Sequence, residues 1–102
     1  MLFAFSVAPS TTDDPNGSVS RAVADALAVV RDCGLPYELG SMFTTIEGEW
    51  DECMDVIKRA TEAVMATSPR VGLVVKADLR PGHTGQITAK VARVQQHWAG
   101  DG

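Results

Sequence analysis

Residues 41–52 read SMFTTIEGEWDE, and this stretch decides the fold because an extended segment turns into a helix within it. The β-favouring residues 43–47 precede Gly48. Three acidic residues follow the glycine, in the first turn of a helix, where the helix macrodipole favours negative charge. We therefore predict a strand over residues 43–47 and a helix from Glu49 to about Ala66.

The segments on the N-terminal side predict another strand, a helix and a short strand. Residues 2–8, LFAFSVA, alternate in the way a strand does when one face is buried. Turn-forming residues fill the loop at 10–17, and from near Ser18 the apolar residues recur at helical spacing. A Leu-Pro step then extends the chain, so residues 37–41 are predicted to pair with residues 43–47.

The C-terminal side predicts one strand and one amphipathic helix. Residues 70–80 alternate regularly, with one face apolar and predicted to be core and the other half polar. After the turn PGHTG, apolar residues recur at steps of four, three and four. These residues are Ile87, Val91, Val94 and Trp98.

The order of these elements predicts an α+β fold, a ferredoxin-like βαββαβ sandwich with an additional C-terminal helix, in a single domain over residues 1–102. Right-handed crossovers place the first two helices on one face of an antiparallel sheet. The other face is left open, and we expect the extra helix or a partner subunit to close it. A homo-oligomer is therefore predicted.

Charge and hydropathy exclude several partners. The chain has 13 acidic and 9 basic residues and a net charge of −4, so a phosphate backbone is not an expected partner. No apolar run approaches the roughly 20 residues of a membrane span, and the first residues lack the basic leader of a signal peptide. These features predict a soluble, cytoplasmic protein that binds neither nucleic acid nor membrane.

The residues that usually carry catalysis or metal show no such arrangement in the sequence. Cys33 and Cys53 lack the CxxC spacing and are predicted to be buried thiols. His83 and His97 are not spaced as a metal pair. Since no triad or phosphate loop is found, we predict no enzyme, no metal and no separate cofactor.

Five segments follow, in order and spacing, the pattern of a known family. They are FSVAPS, SVSRAVADALAVVRDCGLPY, SMFTTIEGEWDECMDVIKRATEAV, RVGLVVKADLRPG and TAKVARVQ. The run TxIEGEWDE and the K-x-D-x-R ending of the last strand are the most specific parts. The sequence resembles the small ferredoxin-like thiamine-binding proteins. This resemblance implies a noncatalytic carrier or sensor that binds thiamine or its hydroxymethylpyrimidine half, assembled as a homodimer or homotetramer.

The chemistry of such a ligand selects candidate residues. An aminopyrimidine presents an amino donor beside ring acceptors, which suits a carboxylate, one or two hydroxyls and a flat apolar wall. A carboxylate and an aromatic face also suit a positive thiazolium ring. We predict these ligand-binding residues: Ser6, Thr44, Thr45, Glu47 and Trp50.

Each candidate also has an ordinary structural interpretation. Glu47 could be a solvated residue at a strand end, Trp50 could fill the core, and the two threonines are common strand residues. Lys76 and Asp78 suit an ion pair at an oligomer interface as well as a ligand contact. The serines at the start of the first helix could cap it or hold an anion.

Two other functional classes remain open at this point. A small oligomeric enzyme can share the same fold, because fold alone does not imply function. A regulatory interaction module could bind a different ligand and change its assembly with a partner.

Overall fold

The computed structural model describes residues 1–10 and 20–101, and it describes only the backbone of residues 20, 89–91 and 99–101. The predicted loop at 10–17, apart from Ser10, and the helix start near Ser18 lie outside the described residues. The elements are β1 (Leu2–Pro9), α1 (Ser20–Asp32), β2 (Tyr37–Leu39), β3 (Thr44–Glu47), α2 (Trp50–Met65), β4 (Val71–Asp78) and α3 (Gln86–Asp101).

The four strands form one antiparallel sheet in the order β2-β3-β1-β4. Its central strand β1 pairs Phe3 with Ile46 of β3 on one side and with Ala77 of β4 on the other. This topology and the element order confirm the predicted α+β, ferredoxin-like βαββαβ sandwich with an additional C-terminal helix.

The hairpin between β2 and β3 is tight, although it lacks an Asn-Gly signal. The Gly40 N–H donates to the Phe43 carbonyl at 3.0 Å, and this bond closes the turn. A Cβ on Gly40 would lie 2.5 Å from the same oxygen, so only glycine fits there. The turn therefore shortens both predicted strands. The first ends at Leu39, and the second begins at Thr44.

The core lies on the face of the sheet that α1 and α2 cover. Both helices pack on β1 and on each other, because each presents one apolar stripe. The buried apolar residues are Phe3, Phe5, Ala26, Val30, Ile46, Cys53, Val56, Ile57, Ala60 and Val64. This cluster joins both helices to the three strands β1, β3 and, through partly buried Val71, β4.

The third helix lies on the opposite face of the sheet, over β3 and β2. Its first residue, Gln86, bonds to the side chain of Glu47, which points away from the core. Farther along α3, Val94 and Trp98 are exposed. The additional helix therefore covers only part of the open face, and the outer part of its apolar stripe has no cover from the described residues of this chain.

The edge strand β4 is less buried than its alternating sequence predicts. Leu73 and Val75 share the core face with Phe5, yet both are exposed, and Val74 on the other face is exposed as well. The prediction that this apolar face is core is wrong for Leu73, Val75, Ala77 and Leu79, which are all exposed, while Val71 is partly buried. The reason is position, since an edge strand has a neighbour on one side only and α2 packs less on β4 than on β1.

None of the helices in the described residues combines the length and the apolar character needed to cross a membrane.

Candidate ligand-binding site

Glu47, the last residue of β3, is buried beneath the start of α3. The residue is 5% exposed. Its two carboxylate oxygens accept the backbone N–H of Gln86 at 3.1 and 3.0 Å. The interpretation of Glu47 as a solvated strand-end residue is therefore wrong, because α3 covers the strand end.

The turn before α3 brings the helix start to this carboxylate. Gly85 has a φ of +67°, in the left-handed region that glycine adopts without strain. Gln86 follows it and is itself buried; its side-chain amide donates to the Thr84 carbonyl at 3.2 Å and accepts from Arg93 at 3.4 Å. The first turn of α3 is thus fixed by several bonds and seated on Glu47.

A cavity of about 500 Å³ lies beside this carboxylate. The loop after α1, the first residue of β2, the start of α2 and the start of α3 form its walls. The lining residues are Leu35, Pro36, Tyr37, Glu47, Gly48, Glu49, Glu52, Thr84, Gly85, Ile87 and Thr88. Apolar walls around one buried carboxylate are the usual composition of a small-molecule pocket.

The start of α2 contributes two carboxylates to the rim of this cavity. Glu49 precedes the helix in an extended conformation, with φ −77° and ψ 161°. Its backbone N–H donates to the Glu52 carboxylate at 3.1 Å, and its own side chain faces the backbone N–H of Glu52 in a capping box. Both side chains are exposed, in contrast to that of Glu47.

The predicted residues Ser6 and Thr44 line a different cavity. Thr44 is 7% exposed and lies opposite Phe5 on the helix-covered side of the sheet. Ser6 lies opposite Val74 of β4. Together they line a space of about 200 Å³ between β1, α1 and the β2–β3 turn. No residue of this space also lines the cavity at Glu47.

The predicted residue Thr45 lies on the face of the sheet that α3 covers in part. It lies opposite Ala4 and is half-buried. There it lines a depression of about 230 Å³ together with Lys76 and Asp78. The two threonines, adjacent in sequence, are thus divided between the two faces of the sheet, as a strand requires.

Trp50 lies on the side of the sheet opposite to Glu47. Its ring stands edge-on against Phe3, with centroids 5.6 Å apart and an interplanar angle of 75°. The side chain is nevertheless 48% exposed, because it stands at the first residue of α2. It does not line the cavity at Glu47, so the structure supports its interpretation as an aromatic partner of the core.

Of the five predicted residues, only Glu47 therefore lies in the 500 Å³ cavity. Sequence reasoning missed the other walls, especially Leu35, Tyr37 and Ile87. Two sequence features could have indicated these walls. One is the pair of acidic residues at positions one and four of the capping box, and the other is the glycine turn before α3. Both features mark helix starts, but only the folded chain brings the two starts together.

The cysteines give no sign of a reactive centre. Cys53 is fully buried, and burial raises the pKa of its thiol to about 11, so the thiol stays protonated at neutral pH. Half-buried Cys33 accepts the backbone N–H of Leu35 at 3.4 Å. In residues 1–10 and 20–101, no three His, Cys, Asp or Glu side chains are grouped so that they could hold a metal ion.

The fold and the cavity define a small ferredoxin-like domain with an apolar pocket built around a buried carboxylate. The chain belongs to the family described as thiamine-binding protein, whose model matches residues 3–95. This finding confirms the family resemblance seen in the sequence.

Relatives and solved structures agree with this assignment. A UPF0045 protein of Mycobacterium bovis is 48% identical over 98 residues, which cover 95% of this chain and 93% of the relative. A structure of the domain of unknown function DUF77 from Bacillus cereus has a TM-score of 0.72 and 38% identity, over 79% of this chain and 76% of that one.

A second solved structure connects the fold with thiamine by name. It is a protein of Thermotoga maritima with a provisional assignment to thiamine biosynthesis or salvage. Its TM-score is 0.76 at 27% identity, and the match covers 91% of this chain and 96% of that one.

Proposed function

We propose that this chain binds thiamine or its hydroxymethylpyrimidine half in the cavity at Glu47, as a noncatalytic carrier or sensor. The observation that carries the proposal is a buried glutamate, Glu47, which is 5% exposed as a residue and lies against an apolar cavity of about 500 Å³. The family description and the provisional assignment of the Thermotoga maritima structure support the choice of ligand.

The carboxylate retains capacity for a ligand. An ionised carboxylate offers about four lone-pair positions, and the Gln86 N–H approaches both oxygens but is a single donor. The exocyclic amino group of an aminopyrimidine can donate to a remaining position. Tyr37 and Leu35 supply apolar surface for the ring, and a volume of about 500 Å³ lies within the usual range of about 300–1,000 Å³ for small-molecule sites.

The noncatalytic part of the proposal rests on the chemistry of the lining. Its side chains are carboxylates, hydroxyls and apolar groups, and neither cysteine nor histidine is among the described lining residues. The buried Cys53 thiol is protonated at neutral pH and so is a poor nucleophile. Binding and release are the activities that this set of groups supports.

We further propose that the chain assembles as a homodimer or homotetramer. Exposed apolar residues of β4 and of the outer part of α3 support this proposal, among them Val74 and Trp98. The net charge of −4 disfavours nucleic acid as a partner. A cytoplasmic location remains a prediction.

Isothermal titration of the purified protein with thiamine and with hydroxymethylpyrimidine tests the binding proposal. The Glu47→Gln variant keeps an acceptor oxygen for the Gln86 N–H but turns a donor toward the ligand's amino group. We expect its dissociation constant to rise at least about tenfold, the loss of one charge-assisted hydrogen bond.

Glu62→Gln is the matched control, because Glu62 is exposed on α2 and does not line the cavity. Its dissociation constant should equal that of the wild type. An unchanged constant for Glu47→Gln would remove Glu47 from the site. Absence of binding to both ligands, at two temperatures so that an enthalpy near zero is not mistaken for it, would remove the proposed function itself.

A further inference from the structure

Two helix N-termini meet at the cavity, and each already has a carboxylate of this chain beside it. At the start of α2, Glu49 and Glu52 form the capping box. At the start of α3, Glu47 accepts the Gln86 N–H at 3.0 Å. Helix N-termini are common phosphate sites, because their N–H groups and macrodipole favour an anion. Here internal anions occupy the places that a phosphate would take.

The described residues of the lining are also negative. Its described residues include the three carboxylates of Glu47, Glu49 and Glu52, and none of them is a lysine, an arginine or a histidine. A phosphate ester brings between one and two negative charges, as it does in a phosphorylated side chain. Such a ligand would meet repulsion in the cavity and would find no basic partner among these residues.

The three carboxylates differ in depth. Glu47 is buried at the closed end of the cavity, whereas Glu49 and Glu52 are exposed at its rim. A ligand whose amino group is held at Glu47 therefore extends its other end toward the rim. In thiamine and its phosphate esters, that other end carries the hydroxyl or the phosphate.

Building on the binding function proposed above, we propose that this cavity selects unphosphorylated ligands and rejects their phosphate esters. Glu49 and Glu52 are the specificity-determining residues. Repulsion between a phosphate and two carboxylates at a distance of about 8 Å, in a largely aqueous rim with physiological salt, corresponds to about a threefold difference in affinity.

Titration of the full chain with thiamine and with thiamine monophosphate, at one ionic strength and without divalent cations, measures this selectivity. We expect the monophosphate to bind about threefold more weakly. In the double variant Glu49→Gln/Glu52→Gln the ratio should fall toward one, because glutamine keeps the capping geometry and removes both charges. The control Asp55→Asn/Glu62→Gln removes two charges from exposed positions of α2 outside the cavity and should keep the wild-type ratio.

The outcomes separate this proposal from the binding function. Equal or tighter binding of the monophosphate by the wild type overturns the selectivity alone. So does a ratio that the Glu49→Gln/Glu52→Gln variant leaves unchanged, or one that the control changes equally. Failure of both ligands to bind overturns the binding function together with the selectivity.

Discussion

The two faces of the sheet differ in what covers them and in what they bury. The face under α1 and α2 is a continuous apolar cluster, to which Phe3, Ile46 and Ile57 contribute fully buried side chains. The opposite face is covered only in part, by α3, and there the buried group is the carboxylate of Glu47. The comparison indicates that one face specifies the fold while the other leaves room for a ligand.

The difference follows from how each helix is attached. The helices α1 and α2 bury broad apolar stripes, so their attachment is hydrophobic and spread over many residues. The attachment of α3 is concentrated at its first turn, where one carboxylate and one N–H meet, while Trp98 near its other end is 69% exposed. We therefore expect the two faces to respond differently to substitution.

The largest effect is expected for Phe3→Ala on the helix-covered face. Phe3 is fully buried, and a large-to-small change at such a site costs about 3–5 kcal/mol of unfolding free energy. Chemical denaturation followed by far-UV circular dichroism measures this loss. The control Phe43→Ala removes a partly exposed ring at the hairpin turn and should cost less than about 1 kcal/mol. Equal costs would contradict the view that this face carries the core.

A smaller and local effect is expected for Glu47→Ala on the opposite face. The variant leaves the buried N–H of Gln86 without its acceptor, a cost of about 1–3 kcal/mol. The loss should appear as faster amide hydrogen exchange in α3, with exchange in α2 unchanged. Glu47→Gln, which retains an acceptor oxygen, should largely keep the protection of α3. If α3 were equally protected in Glu47→Ala, its attachment would not depend on this carboxylate.

A pH-dependent effect is expected from Cys53, on the buried face of α2. Burial raises the pKa of this thiol from 9.0 to about 11, so the folded state keeps it protonated where the unfolded state ionises it. The buried, protonated thiol makes its full contribution to the unfolding free energy below pH 9. This contribution is lost as the pH rises toward 11. By pH 10 a loss on the order of 1 kcal/mol of unfolding free energy is expected.

Comparison with the Cys53→Ala variant isolates this contribution. The stability of the wild type should fall more steeply than that of the variant between pH 8 and pH 10, when both are measured by urea denaturation. Parallel curves would show that the Cys53 thiol is not desolvated in the folded chain.

The smallest effect is expected for Trp98→Gln on the outer part of α3. Because the side chain is largely exposed, the unfolding free energy should change by less than about 0.5 kcal/mol. The unfolding free energy is measured in dilute solution, at a concentration where sedimentation shows that the protein is monomeric. A cost above about 1 kcal/mol there would mean that Trp98 is buried within its own chain, and the asymmetry between the faces would be smaller than described.

The fold was predictable to a large extent because its signals are local. The alternation in residues 2–8 and the apolar spacing of α2 each follow from one element's periodicity, and their order leaves few topologies. The burial of β4 was overestimated for a physical reason. Alternation reports which side chains share a face, whereas cover depends on what packs there, and Val75 on the edge strand is only partly covered.

The candidate site was less predictable because its parts are distant in sequence. Leu35, Glu47 and Ile87 come from three separate segments and meet only in the folded chain. The sequence predicted one site from five residues near two strands and a helix start. In the structure, some of these side chains face opposite sides of the sheet, as Trp50 and Glu47 do.

By itself, the sequence determined the secondary structure, the ferredoxin-like topology and the family, because periodicity, turn residues and motif spacing are local properties of the chain. Tertiary structure alone decided that the carboxylate of Glu47 is buried and that two helix starts meet beside it. Burial of a charged side chain depends on which distant segment covers it, here the turn before α3, and no local pattern encodes that contact.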